Sequence, residues 1–341
     1  MTRRIAILNV LLGTAVTVAC AQQIPINAAG ATFPYPMYSK WFDEYHKKFP
    51  MVPINYASIG SGGGIAQVTA GTVDFGASDG PMTDMQMMEF QNKRGSAILH
   101  FPTVLGAVVP TYNIPGVTAS LNFTGEALAG IFLGKITKWD DPELTKANPG
   151  VKLPSSNIVV VHRSDGSGTT YVWADYLSKM SKEWETKVGK ATSVNWPVGL
   201  GGKGNEGVSG SIQQTANSIG YVELIYAVQN KMSYGKVKNA AGEFVQASLA
   251  SVTAAAAGMK DMPEDFRVSI TNAPGKGVYP ISSFTWLLIP SKIANPAKKK
   301  AIKDFLAWML ADGQKLTEAL SYAPLPKTVV AKEVKAIDKI Q

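Results

Sequence analysis

The sequence predicts an α/β fold, because short apolar strand patterns alternate along the chain with helical patterns. The composition agrees with this class: 45% of the 341 residues are hydrophobic, only 17% are charged, and 32 glycines and 20 prolines supply many turns. A chain of this composition can bury a large core, which excludes a disordered or collagen-like protein. The length is that of about two ordinary domains.

The predicted strands are short, mostly apolar and rich in valine and isoleucine. They are Ile54–Tyr56, Val73–Ala77, Ala107–Tyr112, Ile158–His162, Ile219–Val222 and Phe284–Ile289. Helices are predicted over about 34–48, from just after Gly64, and over about 170–181. Near the carboxyl end, Asn295 is expected to cap a helix that Gly313 ends. Its core-facing stripe, with i, i+3, i+4, i+7, i+8 spacing, is Ile302, Phe305, Leu306, Met309 and Leu310.

The first 21 residues have the pattern of a secretory signal peptide. A basic start at Arg3 and Arg4 precedes an apolar stretch, and Ala19-Cys20-Ala21 fits a small-x-small cleavage site. The stretch is too short for a transmembrane helix, so we expect an exported, periplasmic protein. Lipidation of Cys20 is the alternative. Cleavage after residue 21 removes two arginines and the only cysteine, and the formal charge of +8 becomes +6.

Three turns that contain small and hydroxyl residues lead into predicted helices. They are Gly30–Pro34, Gly60–Gly64 and Arg163–Thr170. The first turn of a helix leaves N–H donors unpaired and carries the positive end of the helix dipole, so an anion can bind there. Ordinary N-capping by Ser or Thr is the alternative for any one turn. Three such turns, together with the guanidinium of Arg163, predict an oxyanion site.

Two carboxylates accompany these turns. Asp165 is expected to hold the guanidinium of Arg163; a surface ion pair between them is the alternative. Asp79 follows a predicted strand, and it would repel a fully deprotonated anion but accept a proton from a protonated one. Phosphate carries such a proton near neutral pH, whereas sulfate does not. If Asp79 faces the site rather than water, the site should prefer phosphate to sulfate.

Seven segments closely resemble those of the periplasmic phosphate-binding proteins of the high-affinity phosphate ABC transporter, the PstS family. In order, they are GATFPYPMYSKW, IGSGGG, TVDFGASD, GKITKWDDP, RSDGSGTTYV, WPVGLGGKGNEGV and IGYVELIYA. The resemblance implies a type II periplasmic binding protein fold: two α/β lobes with a ligand cleft between them, joined by two crossing strands. It implies lobe I over 22–109 and 282–341, and lobe II over 110–281.

The resemblance also implies how phosphate is held. Backbone N–H groups, hydroxyls, one guanidinium and one carboxylate are expected to contact it, with Asp165 pairing with the guanidinium. The implied contacts are Ala31, Thr32, Phe33, Ser61, Asp79, Arg163, Ser167, Gly168 and Thr169. His162 and Gly62 stand where the family often has a basic residue and a serine, and neither departure removes a contact. The implied function is binding of inorganic phosphate outside the inner membrane and its delivery to the permease by a monomer, without a cofactor, a metal or catalysis.

Two motifs suggest enzymes but lack the context that those enzymes need. The run 199–204 is glycine-rich and contains Lys203, but a nucleotide-binding loop requires Ser or Thr where Gly204 stands. A glycine-rich turn before a helix near 210–217 is the better interpretation. The run 76–80 matches G-x-S-x-G around Ser78, but Pro81 follows instead of a helical pattern.

Other function classes find little support in the sequence. The three histidines lack metal-ligand spacing, and the basic residues are scattered, so neither a metal nor nucleic acid is expected. A receptor for another tetrahedral oxyanion, a secreted phosphatase-like enzyme and an extracellular adhesive role remain as alternatives to phosphate import.

Overall fold

A computed structural model describes residues 23–259 and 261–341. The predicted signal peptide and Cys20 lie outside these residues. Within the described ranges, no helix combines the length and the apolar character that crossing a membrane requires. The described chain forms strands and helices in two lobes, as the sequence predicts.

Strands of the described residues form one long mixed sheet and one small sheet. They are β1 Ile26–Gly30, β2 Ile54–Ser58, β3 Phe75–Ser78, β4 Ile98–Asn113, β5 Asn122–Phe123, β6 Val159–Arg163, β7 Leu200–Gly202, β8 Ser218–Glu223, β9 Ser233–Tyr234, β10 Lys236–Lys238, β11 Phe244–Val245 and β12 Ser282–Pro290. The long sheet has the order β2-β1-β3-β12-β4-β8-β6-β7, with β9 also paired to β4. The small sheet has the order β11-β10-β5.

Helices cover both lobes. They are α1 Tyr35–Lys48, α2 Ser61–Ala70, α3 Asp84–Arg94, α4 Gly125–Phe132, α5 Pro142–Ala147, α6 Gly168–Met180, α7 Lys182–Lys187, α8 Gly204–Gln214, α9 Leu224–Gln229, α10 Leu249–Ala257, α11 Pro296–Ala311 and α12 Lys327–Ala336. Short 3-10 helices span Gly313–Leu316, Glu318–Leu320 and Ile337–Lys339.

The strand β4 runs through both lobes. From Ile98 to Ala107 it pairs antiparallel with β12, and from Val108 to Asn113 it pairs antiparallel with β8. Parallel strands β1, β2 and β3 extend the sheet on one side, and β6 and β7 extend it in parallel from β8 on the other. Almost every residue of β4 is buried, as is typical of a strand covered on both faces. The expected α/β fold with two lobes and crossing strands is thus confirmed.

All six predicted strands overlap observed ones, and β4 differs most from its prediction. Only 107–112 was predicted, whereas the strand begins at Ile98. The missed part contains Pro102, which lacks an N–H and is unusual inside a sheet. The register between β4 and β12 shifts between Thr285 and Trp286, opposite this proline, and the ladder continues beyond it. The proline is therefore the reason that the first part of β4 was not predicted. The strand accommodates it by a local shift in register.

Two glycine-rich helix starts were predicted too late. Helix α2 begins at Ser61 rather than after Gly64, and α8 begins at Gly204 rather than near 210. In α2, a Cβ built on Gly64 would lie 2.6 Å from the Cα atom of Gly30 in β1. Gly64 therefore serves close packing inside α2, although glycine ordinarily indicates the end of a helix.

The predicted helix near the carboxyl end is confirmed as α11. The Asn295 side chain accepts hydrogen bonds from the N–H groups of Ala297 and Lys298 at 2.9 and 3.1 Å, and the predicted apolar stripe is buried. The helix ends at Ala311, and Gly313 begins a 3-10 helix instead of providing the stop. The carbonyl oxygen of Gly313 accepts the indole N–H of Trp41 at 2.8 Å, which ties this end to α1.

Candidate functional site

The three turns that the sequence singled out meet in the cleft between the lobes. Asn205 Nδ2 lies 2.7 Å from Thr32 Oγ1 and 3.2 Å from Thr169 Oγ1, which joins the turn before α1 to the start of α6. A Cβ built on Gly168 would lie 2.4 Å from Ser61 Oγ, which places the start of α2 against α6. Two lobes thus contribute helix starts to one small region.

Glycine allows the two lobes to approach this closely. The N–H of Gly62 in α2 donates to the carbonyl oxygen of Gly166 at 2.8 Å, and a Cβ on Gly62 would lie only 3.0 Å from the Cα atom of Gly166. Gly60 has a φ of 90°, and a Cβ there would lie 2.3 Å from Asp165 Oδ2. Side chains at Gly60 or Gly62 would therefore hold the lobes apart.

Backbone N–H donors point to an anion site at these helix starts. Among the described residues, no acceptor lies within hydrogen-bond distance of the N–H groups of Thr32 and Phe33, of Ser61, or of Gly168 and Thr169. Buried N–H groups are rarely left unpaired in proteins, so five of them in one cleft indicate a ligand with several acceptor oxygens.

The N–H group of Ala31, one of the expected donors, already has a hydrogen-bond partner within the protein. The N–H of Ala31 donates to the carbonyl oxygen of Ala77 at 3.0 Å, as an extension of the pairing between β1 and β3. The expectation that Ala31 offers its N–H to the anion is therefore corrected. Ala31 instead positions the next two residues, and its carbonyl oxygen accepts the hydroxyl of Tyr56 at 2.8 Å.

Ser167 lies at the site but uses its groups within the helix start. Its hydroxyl oxygen accepts the N–H of Thr170 at 3.0 Å, which is the N-cap interaction of α6, and its own N–H donates to the carbonyl oxygen of Thr192 at 2.7 Å. The hydroxyl hydrogen remains free to donate, since this bond uses the oxygen only as an acceptor. N-capping and anion binding, stated as alternatives from the sequence, are therefore compatible at this residue.

Asp79 is a buried carboxyl at the same place, with 1% of its surface exposed. Its Oδ1 accepts the hydroxyl of Thr285 at 2.8 Å, and Ser61 Oγ lies 3.5 Å from its Oδ2. Burial raises the pKa of Asp79 to about 7, against the opposing effects of these hydroxyls and of Arg163. Because the side chain is buried, the alternative of a turn carboxylate facing water is excluded.

Arg163 and Asp165 form a two-point ion pair beneath the helix starts. Nε and Nη2 of Arg163 donate to the two carboxylate oxygens of Asp165 at 2.8 and 2.6 Å. Nη1 donates to Thr169 Oγ1 at 3.2 Å. Arg163 is only 2% exposed, so a surface ion pair is excluded. A guanidinium has five N–H donors, so two remain after these three contacts.

Asp165, the partner of Arg163, is held in place by a further contact within lobe II. Asp165 Oδ1 also accepts the N–H of Gly204, the first residue of α8, at 3.0 Å. Burial tends to raise the pKa of Asp165, but the hydrogen bonds and charge of Arg163 outweigh it and bring the pKa below its ordinary value. Asp165 thus stays ionised and holds the guanidinium in one orientation.

His162 takes no part in this cluster. Its ring stacks on Trp196 with 4.7 Å between the ring centroids, and its Nδ1 lies 3.0 Å from the carbonyl oxygen of Arg163. Burial lowers the pKa of His162, which favours the neutral form of the ring. His162 belongs to β6, the strand that ends at Arg163.

Sequence analysis missed several residues of the cleft, among them Asn205 and Thr285. Asn205 contacts hydroxyls from both lobes, and Thr285 donates to Asp79 from β12. A signal for Asn205 existed, because it stands at the second position of a helix that follows a glycine-rich turn. Thr285 lies inside an apolar strand, and a single hydroxyl there is common and carries no specific signal.

The motifs set aside from the sequence have other roles here. Ser78 Oγ donates to the carbonyl oxygen of Gly80 at 2.5 Å, and no helix follows until Asp84. Across residues 23–259 and 261–341, no group of three or more His, Cys, Asp and Glu side chains is arranged to hold a metal ion. Lys203 is the N-cap of α8, on the loop that brings Asn205 into the cleft.

Comparison with known proteins agrees with this arrangement. The chain matches the PBP superfamily domain over residues 14–313. A phosphate-binding protein PstS of Xylella fastidiosa is 47% identical over 317 residues, which are 92% of this chain and 85% of that protein. One of Pasteurella multocida is 45% identical over 334 residues, 97% of this chain and 94% of that protein.

Solved structures agree in fold. The ancestral soluble variant of the human phosphate binding protein has a TM-score of 0.75 at 22% identity, covering 92% of this chain and 93% of that one. A high affinity periplasmic phosphate-binding protein with bound phosphate has a TM-score of 0.74 at 20% identity, covering 92% and 93%. The chain belongs to the PBP superfamily. Within it, the chain is a member of the PstS family of phosphate-binding proteins.

Proposed function

We propose that this protein binds inorganic phosphate in the cleft between its lobes and delivers it to the permease subunits of a phosphate ABC transporter. The observation that carries the proposal is the placement of the Asp79 carboxyl among N–H and hydroxyl donors from three helix starts. The donors suit the unprotonated oxygens of phosphate, and the carboxyl suits an oxygen that carries a proton. The protein acts as a monomer, outside the inner membrane, and leaves phosphate chemically unchanged.

The proposed contacts follow from the hydrogen-bonding capacity that each group has left after its contacts within the protein. Backbone N–H groups of Thr32, Phe33, Ser61, Gly168 and Thr169 donate, since no described residue accepts from them. The hydroxyls of the threonines and serines add donors. The remaining guanidinium N–H groups add charge-assisted hydrogen bonds, and Asp79 accepts the phosphate proton. The full proposed set is Thr32, Phe33, Ser61, Asp79, Arg163, Ser167, Gly168 and Thr169, with Asp165 behind the guanidinium.

Lobe boundaries at 109/110 and 281/282 are part of this proposal. The change of pairing partner within β4, from β12 to β8 between Ala107 and Val108, supports the first boundary. One segment within 110–281 also contacts lobe I: the carbonyl oxygen of Met262 accepts Lys332 Nζ at 2.7 Å, and that of Phe266 accepts the indole N–H of Trp286 at 2.8 Å. These contacts attach residues 262–266 to lobe I, although their sequence range lies within 110–281.

Calorimetric titration of phosphate-stripped protein tests the proposal. Phosphate is expected to bind with one site per chain, arsenate to compete because it has the same shape and protonation, and sulfate to compete poorly. Equal affinity for sulfate would overturn the assignment of Asp79 and favour a receptor for another oxyanion. Turnover of a chromogenic phosphate ester by the pure protein would favour the enzyme alternative instead.

A further inference from the structure

The side chain of Asn205 contacts hydroxyl groups of both lobes at the binding cleft. Its Nδ2 donates to Thr32 Oγ1 at 2.7 Å in lobe I and to Thr169 Oγ1 at 3.2 Å in lobe II. Asn205 is fully buried, and so is Thr169. An amide nitrogen carries two hydrogens, so these two contacts use both of them.

The backbone fixes which way the amide faces. Asn205 Oδ1 accepts the N–H of Glu223 at 3.0 Å, at the end of β8 beside the crossing strand β4. A backbone N–H can only donate, so the atom that faces it must be the amide oxygen. The amide nitrogen therefore faces the two threonine hydroxyls and cannot accept from them.

Each hydroxyl already accepts two hydrogen bonds. Thr169 Oγ1 accepts from Nδ2 of Asn205 and from Nη1 of Arg163, both at 3.2 Å. Thr32 Oγ1 accepts from Nδ2 of Asn205 at 2.7 Å and lies 3.4 Å from the backbone nitrogen of the same residue. A hydroxyl has two lone pairs and one hydrogen, so each threonine is left with donation only.

We propose that Asn205 is a positioning residue that turns the hydroxyls of Thr32 and Thr169 into obligatory donors toward the bound anion. This inference rests on the proposed function, since it concerns the same cleft. As a consequence, the phosphate oxygens that face the two threonines must be unprotonated. The oxygen that carries the proton is therefore directed to Asp79. Asn205 also links lobe I to lobe II through one amide.

The test compares two substitutions that a packing role and an orienting role rank in opposite order. Asn205→Asp keeps the shape and the acceptor for the Glu223 N–H, but its carboxylate accepts the threonine hydrogens and repels an anion. Asn205→Ala removes the side chain and leaves both hydroxyls free to rotate. An orienting role predicts that phosphate affinity, measured by calorimetry on the phosphate-stripped full chain, falls about 100-fold or more in Asn205→Asp and about tenfold in Asn205→Ala. A packing role predicts that Asn205→Ala is the worse variant.

Non-additivity supplies the second measurement. If Asn205 acts through the hydroxyls, Asn205→Ala should change phosphate affinity less than about twofold when it is added to a Thr32→Val, Thr169→Val variant. An equal loss in both backgrounds would overturn the inference, and so would wild-type affinity in either Asn205 variant. If Asn205→Asp fails to fold, the double-background comparison with Asn205→Ala still decides. If the wild-type protein binds no phosphate, the proposed function itself is overturned. That outcome differs from a wild type that binds phosphate and Asn205 variants that bind it equally well.

Discussion

Gly168 of lobe II lies directly against Asp79 of lobe I. A Cβ built on Gly168 would lie 2.5 Å from Asp79 Oδ2 and 2.6 Å from Asp79 Cβ, far inside any real contact distance. The first N–H of α6 is thereby brought beside the one buried carboxyl of the proposed contact set. The proposed binding site thus takes donors from both lobes in this arrangement.

Gly168→Ala is expected to weaken phosphate binding at least tenfold, by about 1.4 kcal/mol or more. The added methyl group must displace Ser61 or Asp79, or hold the lobes apart. Calorimetric titration with phosphate measures the loss. Gly210→Ala in α8 is the matched control, because a Cβ there meets nothing within 4 Å. Equal phosphate affinity in the two variants would contradict the close approach described here.

Asp79→Asn is expected to relax discrimination against sulfate. The carboxylate rejects sulfate because two acceptors would face each other without a proton, whereas an amide nitrogen can donate to a sulfate oxygen. Competition titrations should show sulfate displacing phosphate from the variant and not from the wild type. Asp43→Asn, a substitution of an exposed carboxylate on α1, should leave the preference unchanged. An unaltered preference in Asp79→Asn would remove Asp79 from the role assigned to it.

Local turn chemistry in the sequence indicates the candidate site, whereas several boundaries of helices and strands differ from their predicted positions. Turn chemistry at Ser61 and at Arg163 is local, so a short run of residues already indicates a helix start with free donors. Their meeting in one cleft is a property of the fold, and only the family resemblance supplied it at the sequence level. The structure then places Ser61, Asp79 and Gly168 in contact.

What could not be predicted depends on long-range contacts. The engagement of the Ala31 N–H by Ala77 follows from the pairing of β1 with β3, which no local pattern encodes. Asn205 gains its role only because α8 packs between the turn before α1 and the start of α6. Glycines near a helix start look like helix breakers in a sequence, which is why α2 and α8 begin several residues before their predicted starts.

Arg163→Lys is expected to weaken phosphate binding by about 2 kcal/mol or more, although it preserves the charge. The guanidinium engages both oxygens of Asp165 and also Thr169, and a single ammonium cannot reach all three and still face the anion. Phosphate titration measures the change. Arg267→Lys is the control, since Arg267 also forms an ion pair with an aspartate two residues away, at a partly exposed position outside the proposed contact set. Wild-type affinity in Arg163→Lys would show that geometry at this position is unimportant.

The stability of the phosphate-free protein should depend on the protonation of Asp79. Its pKa in the folded protein is about 7, above the usual 3.8, so between these values the folded state binds the proton more strongly than the unfolded state. The free energy of unfolding therefore loses this contribution as the pH rises from about 4 through about 7, and the loss is complete above that range. Relative to the wild type, Asp79→Asn should gain stability with rising pH, by at most a few kcal/mol.

Urea denaturation of phosphate-stripped wild type and Asp79→Asn at a series of pH values measures this difference. Other buried acids, such as Glu333, titrate in both proteins, so the difference between the two curves isolates Asp79. Adding phosphate should stabilise the wild type more than the variant, because only the carboxylate can accept the phosphate proton. Curves that stay parallel across the pH range would mean that Asp79 does not carry a raised pKa in the free protein.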